Sequence, residues 1–88
     1  MKAIHKFQIE LVDEQKISLP RSFKFLHFAL QNERMYMWGI VDLDSDGKME
    51  KTIRLYPTGG EFEEIYQDDY IGTVLTSGGA FVWHVFME

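Results

Sequence analysis

The chain has 88 residues, 45% hydrophobic and 15% aromatic, a composition that specifies one folded domain and excludes a disordered chain. It has no cysteine, so neither a disulfide framework nor a thiolate zinc site is open to it. Nine Lys and Arg against 14 Asp and Glu give a net charge of −5, which argues against non-specific nucleic-acid binding, although a local basic pocket remains compatible with it.

The dominant signal is period two, interrupted by turn residues. His5, Phe7, Ile9 and Leu11 alternate with Lys6, Gln8 and Glu10, the pattern of a half-buried strand. A turn over residues 12–15 leads into a short return strand, 16–19, with Ile17 and Leu19 inward, stopped by Pro20. Residues 23–31 divide into Phe23, Phe25, His27 and Ala29 on one face and Leu26, Phe28 and Leu30 on the other. The crowding of aromatics favours a central strand over a short helix. Asn32-Glu33-Arg34 turns the chain. Residues 35–43 set Tyr36, Trp38 and Ile40 against Met35, Met37 and Val41, with Gly39 marking a bulge or a close backbone approach. The run 42–47 ends in Asp46-Gly47, a hairpin signal. Residues 48–56 form a polar strand expected at an edge, closed by Pro57-Thr58-Gly59-Gly60. The acidic stretch 61–69 is irregular. Residues 70–87 read as a β-hairpin turning at Ser77-Gly78-Gly79, and its second strand, 81–87, is apolar on both faces apart from His84. Six or seven short antiparallel strands predict an all-β domain, a small sandwich or barrel.

Several residues carry candidate chemistry. Asp42, Asp44, Asp46 and Gly47 copy the first half of a calcium-binding EF-hand loop, but the closing position, which needs a bidentate Glu, is Ile53. His5, His27 and His84 fall on three different strands without ligand spacing, so no metal and no cofactor is expected. No nucleophile–base constellation shows, and a non-enzymatic protein is expected. Thr58-Gly59-Gly60 and Ser77-Gly78-Gly79 supply glycine N–H groups of the kind that form anion nests, although glycine pairs between strands are turns first. Tyr36, Trp38, Tyr56, Phe81 and Trp83 can stack on bases or line an interface, with core packing as the competing role. Trp38 and Trp83 are expected to keep an exposed edge, since Trp is seldom fully buried. Arg54, beside Tyr56, is the cation best placed for a phosphate or carboxylate. The candidate binding set is therefore Trp38, Arg54, Tyr56, Trp83 and His84.

Three stretches, 23–30, 35–41 and 81–87, are apolar on both faces, and one small core absorbs one face of each. A second subunit is the simplest cover for the rest, so a two-fold homodimer is expected. The segment 61–69 is too acidic to make a good apolar lid. No run approaches the roughly 18 apolar residues of a membrane span, and residues 1–6 lead into no signal-peptide-like stretch.

The opening Met1-Lys2-Ala3-Ile4-His5-Lys6-Phe7, the middle Met37-Trp38-Gly39-Ile40-Val41-Asp42 and the close Tyr70-Ile71-Gly72-Thr73-Val74…Phe81-Val82-Trp83-His84-Val85-Phe86 resemble a family of short phage and prophage proteins. Members begin I-H-K-[YF] and end Y-[IL]-G-T-V…F-V-W-H-[VL]-F. The resemblance implies a phage accessory product in the cytoplasm of the infected bacterium. Such proteins often act by binding, either blocking a host protein or sequestering a nucleotide-like defence signal. A structural or assembly accessory of the phage is the alternative.

Overall fold

Alternation along the chain becomes seven strands in a computed structural model that describes residues 1–88: β1 (Lys2–Ile9), β2 (Glu14–Pro20), β3 (Lys24–Gln31), β4 (Arg34–Asp42), β5 (Lys48–Pro57), β6 (Tyr70–Thr76) and β7 (Phe81–Met87). They form two antiparallel sheets, one ordered β1-β4-β3 and the other β2-β5-β7-β6. The expected all-β antiparallel architecture is present, as a two-sheet sandwich.

The inner faces meet in a core of Ile9, Leu19, Phe23, Phe28, Met35, Met37, Val41, Ile53, Leu55, Val74 and Val85. On β4, Met35, Met37 and Val41 are buried while Tyr36, Trp38 and Ile40 are half-exposed, the division the alternation predicts. Gly39 lies between the inward side chains. The Phe23 ring rests against it, and a Cβ there would overlap that ring. The expected close approach is thus made by an aromatic side chain. The sheets also come together at β3 and β6, where a Cβ on Gly72 would lie 3.1 Å from Phe28 Cβ.

Two connections are tight hairpins. Asn32 and Glu33 join β3 to β4 with φ of 53° and 64°, the doubly left-handed geometry of a type I′ turn. Ser77–Gly79 joins β6 to β7 with positive φ at all three residues.

Four expectations are corrected. The first two strands are not a hairpin: β1 pairs with β4, β2 pairs with β5, and β1 ends at Ile9, leaving Leu11 exposed. At that corner the Gln15 side chain imitates a ladder, accepting from Glu10 N at 3.1 Å and donating to Glu10 O at 2.8 Å. Asp46-Gly47 turns the chain between sheets and not within a hairpin. Gly47 has φ of 99° and its carbonyl accepts from Arg21 N at 3.1 Å. Strand β5 is internal, between β2 and β7, because its apolar Ile53 and Leu55 form the centre of the sheet while Glu50, Thr52 and Arg54 face out. Finally, β3 carries a bulge between Phe25 and His27 that shifts the parity. Phe25, Phe28 and Leu30 then face the core, and Lys24, His27 and Ala29 face out, opposite Ile40, Trp38 and Tyr36.

Candidate functional site

The outer face of the four-stranded sheet is built by strand parity. Ile53 and Leu55 point into the core, so Arg54 and Tyr56 point out. Val85 points in, so His84 and Phe86 point out. The register then sets Tyr56 opposite His84, Arg54 and Tyr70 opposite Phe86, and Thr73 opposite His84. The Tyr56 and Tyr70 rings flank Phe86 at centroid distances of 5.6 and 5.5 Å, both edge-on. This is an aromatic floor.

Residues 58–69 return across that floor. Phe62 sets its ring 5.4 Å from that of Tyr56, and Ile65 is half-buried. The segment expected to be a poor lid is therefore a partial roof, because its two apolar side chains, three residues apart, both face the sheet while Glu61, Glu63 and Asp68 are exposed. Between roof and floor is an open cavity of about 570 Å³, lined among others by Tyr56, Thr58, Phe62, Tyr70, His84 and Phe86. A smaller recess of about 110 Å³ adjoins it at Arg54, Glu64 and Asp69.

A hydrogen-bonded chain runs along one side. His84 Nε2 lies 2.7 Å from Thr58 Oγ1, His84 Nδ1 lies 3.0 Å from Thr73 Oγ1, and Thr73 Oγ1 lies 2.5 Å from the Tyr70 hydroxyl. A neutral imidazole has one donating and one accepting nitrogen. The chain is therefore polarised in one of two senses. In one, Tyr70 donates to Thr73, Thr73 donates to Nδ1, Nε2–H donates to Thr58, and the Thr58 hydroxyl proton is left for a ligand. In the other, every donor reverses and the Tyr70 hydroxyl proton is left. Either way the chain offers one free O–H donor to the cavity, and its position adapts to the ligand. The sequence shows no partner for His84, and the structure supplies two hydroxyls.

The electrostatics disfavour an anion. Arg54 is engaged: its Nε donates to Glu14 Oε1 at 2.8 Å, and its guanidinium also pairs with Glu88. It is not the free cation the sequence suggests. The roof carries Glu61, Glu63, Glu64, Asp68 and Asp69. Nor is Thr58-Gly59-Gly60 a nest, because Thr58 N donates to Val82 O at 3.3 Å and Gly60 N donates to Pro57 O at 2.9 Å.

Of the five residues singled out from sequence, Arg54, Tyr56 and His84 share this face. Trp83 lies on the inner face of β7, packed against the core, with Nε1 donating to Thr76 Oγ1 at 3.1 Å. Trp38 lies on the outer face of the other sheet. Sequence reasoning missed Phe62, Ile65, Tyr70, Thr73 and Phe86 as site residues. Parity on β7 would have found Phe86 beside His84. Thr73 and Tyr70 require the β6–β7 register.

The three histidines sit apart, and no three His, Asp or Glu side chains converge as metal ligands. In the EF-hand-like run, Asp42 Oδ1 accepts from Asp44 N at 3.0 Å and Asp44 pairs with the N-terminal ammonium.

Fold and site together define a two-sheet β-sandwich with an aromatic-floored, partly roofed cavity on one outer face. Over residues 1–88 the chain matches the family described as Domain of unknown function (DUF7352), and it belongs to that family. No curated protein and no solved structure matches it. No helix is long and apolar enough to cross a membrane.

Proposed function

We propose that this is a non-enzymatic binding protein whose cavity on the four-stranded sheet holds an uncharged, planar, hydrogen-bonding ring, of which a nucleobase or nucleoside is the natural example. The observation that supports it most is the pairing of an aromatic floor (Tyr56, Tyr70, Phe86) with the adaptable hydroxyl–imidazole chain of Thr58, His84 and Thr73. Rings bind rings by stacking, and a few well-placed polar groups fix orientation. The carboxylates around the cavity and the engaged Arg54 favour the ring of a nucleotide-like signal over its phosphate. Thr73 at Nδ1 holds the imidazole in place but cannot stabilise an imidazolium as a carboxylate does, which favours binding over general-base chemistry.

The biological setting, a phage accessory protein working in the infected bacterium's cytoplasm by withholding a signal, rests on the resemblance of the opening and closing motifs. Protein recovered natively from infected cells, then denatured and analysed by mass spectrometry, tests the reading. A stoichiometric nucleoside-like molecule is the expected release. A stoichiometric host protein with no small molecule, or co-sedimentation of the protein with virions, would replace the reading with host-protein blocking or with a structural role.

A further inference from the structure

The outer face of the three-stranded sheet is uncovered, and its composition is unlike the rest of the chain. Lys6, Trp38 and His27 stand directly opposite one another across β1, β4 and β3. Gln8, Tyr36 and Ala29 form the next row, and Ile4, Ile40 and Lys24 the row on the other side. The Trp38 ring lies 6.0 Å from both the His27 and the Tyr36 rings, and Lys6 Nζ sits 4.4 Å from the Tyr36 centroid. The same parity places Lys2 and Arg34 on this face, so Lys2, Lys6, Lys24 and Arg34 are here although the chain is acidic overall. Within the three strands the one carboxylate on this face is Asp42, 3.9 Å from the N-terminal ammonium; Glu10 and Glu33 lie at the end of the face, beside Gln8 and Arg34. The carboxylates of residues 61–69 lie over the other sheet.

We propose that this face binds single-stranded nucleic acid, with bases stacked on Trp38, Tyr36 and His27 and phosphates on Lys2, Lys6 and Lys24. Charge complementarity selects the occupant. A basic face studded with rings is the platform that unstacked bases and their backbone use. A duplex hides its bases from a flat sheet. A second copy docked face to face would bring two lysine rows together, and like charges so juxtaposed are costly. The net charge of −5 does not oppose a local basic face, because exposed charges beyond about 10 Å are screened at ordinary salt.

Fluorescence anisotropy of a labelled eight-nucleotide oligothymidylate with the full chain tests this. Three phosphate contacts predict an affinity that falls about 20-fold between 50 and 200 mM salt, and a fall of only about threefold for the Lys6→Gln/Lys24→Gln double variant. Trp38→Ala should weaken binding roughly tenfold, as the loss of one stacking ring does. The lysine variant alters only exposed side chains and so reports even if Trp38→Ala folds poorly. Thr58→Val, across the molecule, should leave oligonucleotide binding intact. No anisotropy change at 50 mM salt would overturn the proposal, as would binding insensitive to both Trp38 and the lysines, or binding abolished by Thr58→Val. A wild-type dimer that Trp38→Ala dissociates would assign the face to a second copy.

Discussion

The two outer faces of this sandwich treat exposed aromatic surface in opposite ways. On the four-stranded sheet the chain covers its own rings: residues 58–69 lay Phe62 and Ile65 over Tyr56 and Phe86, and a cavity remains underneath. On the three-stranded sheet Tyr36 and Trp38 are left open and fringed with lysine. Partial roofing yields an open-sided, carboxylate-rimmed recess that suits a small neutral ring. An open basic sheet yields a platform that suits an extended polyanion. Both arise from the same alternation, in which every strand with two apolar faces gives one to the core and leaves the other to be covered or used.

Substitutions that break this contrast rank by how deeply they reach. Trp83→Ala removes a ring from the shared core and the hydrogen bond to Thr76, and should destabilise the protein by roughly 3–5 kcal/mol. Urea denaturation reads this, and both faces should lose binding together; an unchanged midpoint would mean that Trp83 contributes nothing to the core. Gly39→Ala forces a methyl group into the Phe23 ring, and should cost about 1–3 kcal/mol in the same assay. A neutral result would show that Phe23 moves aside freely. Phe62→Ser acts on one face only. The ring is 55% exposed, so stability should fall by about 1 kcal/mol, while hydrogen exchange accelerates over residues 61–66 and oligonucleotide binding is unaltered. Arg54→Gln should matter least, with a loss under about 1 kcal/mol, because its carboxylate partners are solvated. A larger drop in thermal midpoint would assign the Glu14–Arg54–Glu88 group a structural role its exposure does not suggest.

Strand existence was legible because alternation is local: β4 and the β6–β7 hairpin emerge directly from their side-chain period and turn glycines. Sheet membership was not. The short loops after β1 and β4 look like hairpins, yet both cross between sheets, and the Gln15 side chain that caps one corner carries no sequence signature of that role. A single bulge in β3 set Phe25 on the face of Phe28 and Leu30 in place of the face of His27 and Ala29, since the side-chain period is two and one extra residue inverts it. At the cavity, Arg54, Tyr56 and His84 were accessible from parity. The partners that define their chemistry, Thr58 and Thr73 for His84 and Glu14 and Glu88 for Arg54, come from strands or segments 11 to 40 residues away. Composition hid the roof as well: five carboxylates masked the two apolar residues, Phe62 and Ile65, that seat it.

A ¹H–¹⁵N correlation spectrum recorded while adenosine is added to the full chain tests the central claim directly. Amide shifts should cluster at Tyr56, Thr58, Gly59, Gly60, Thr73 and His84, saturate with one site, and weaken in Thr58→Val. Shifts confined to β1, β3 and β4, or a spectrum unmoved at millimolar adenosine, would contradict the assignment of the roofed cavity as the ring-binding site.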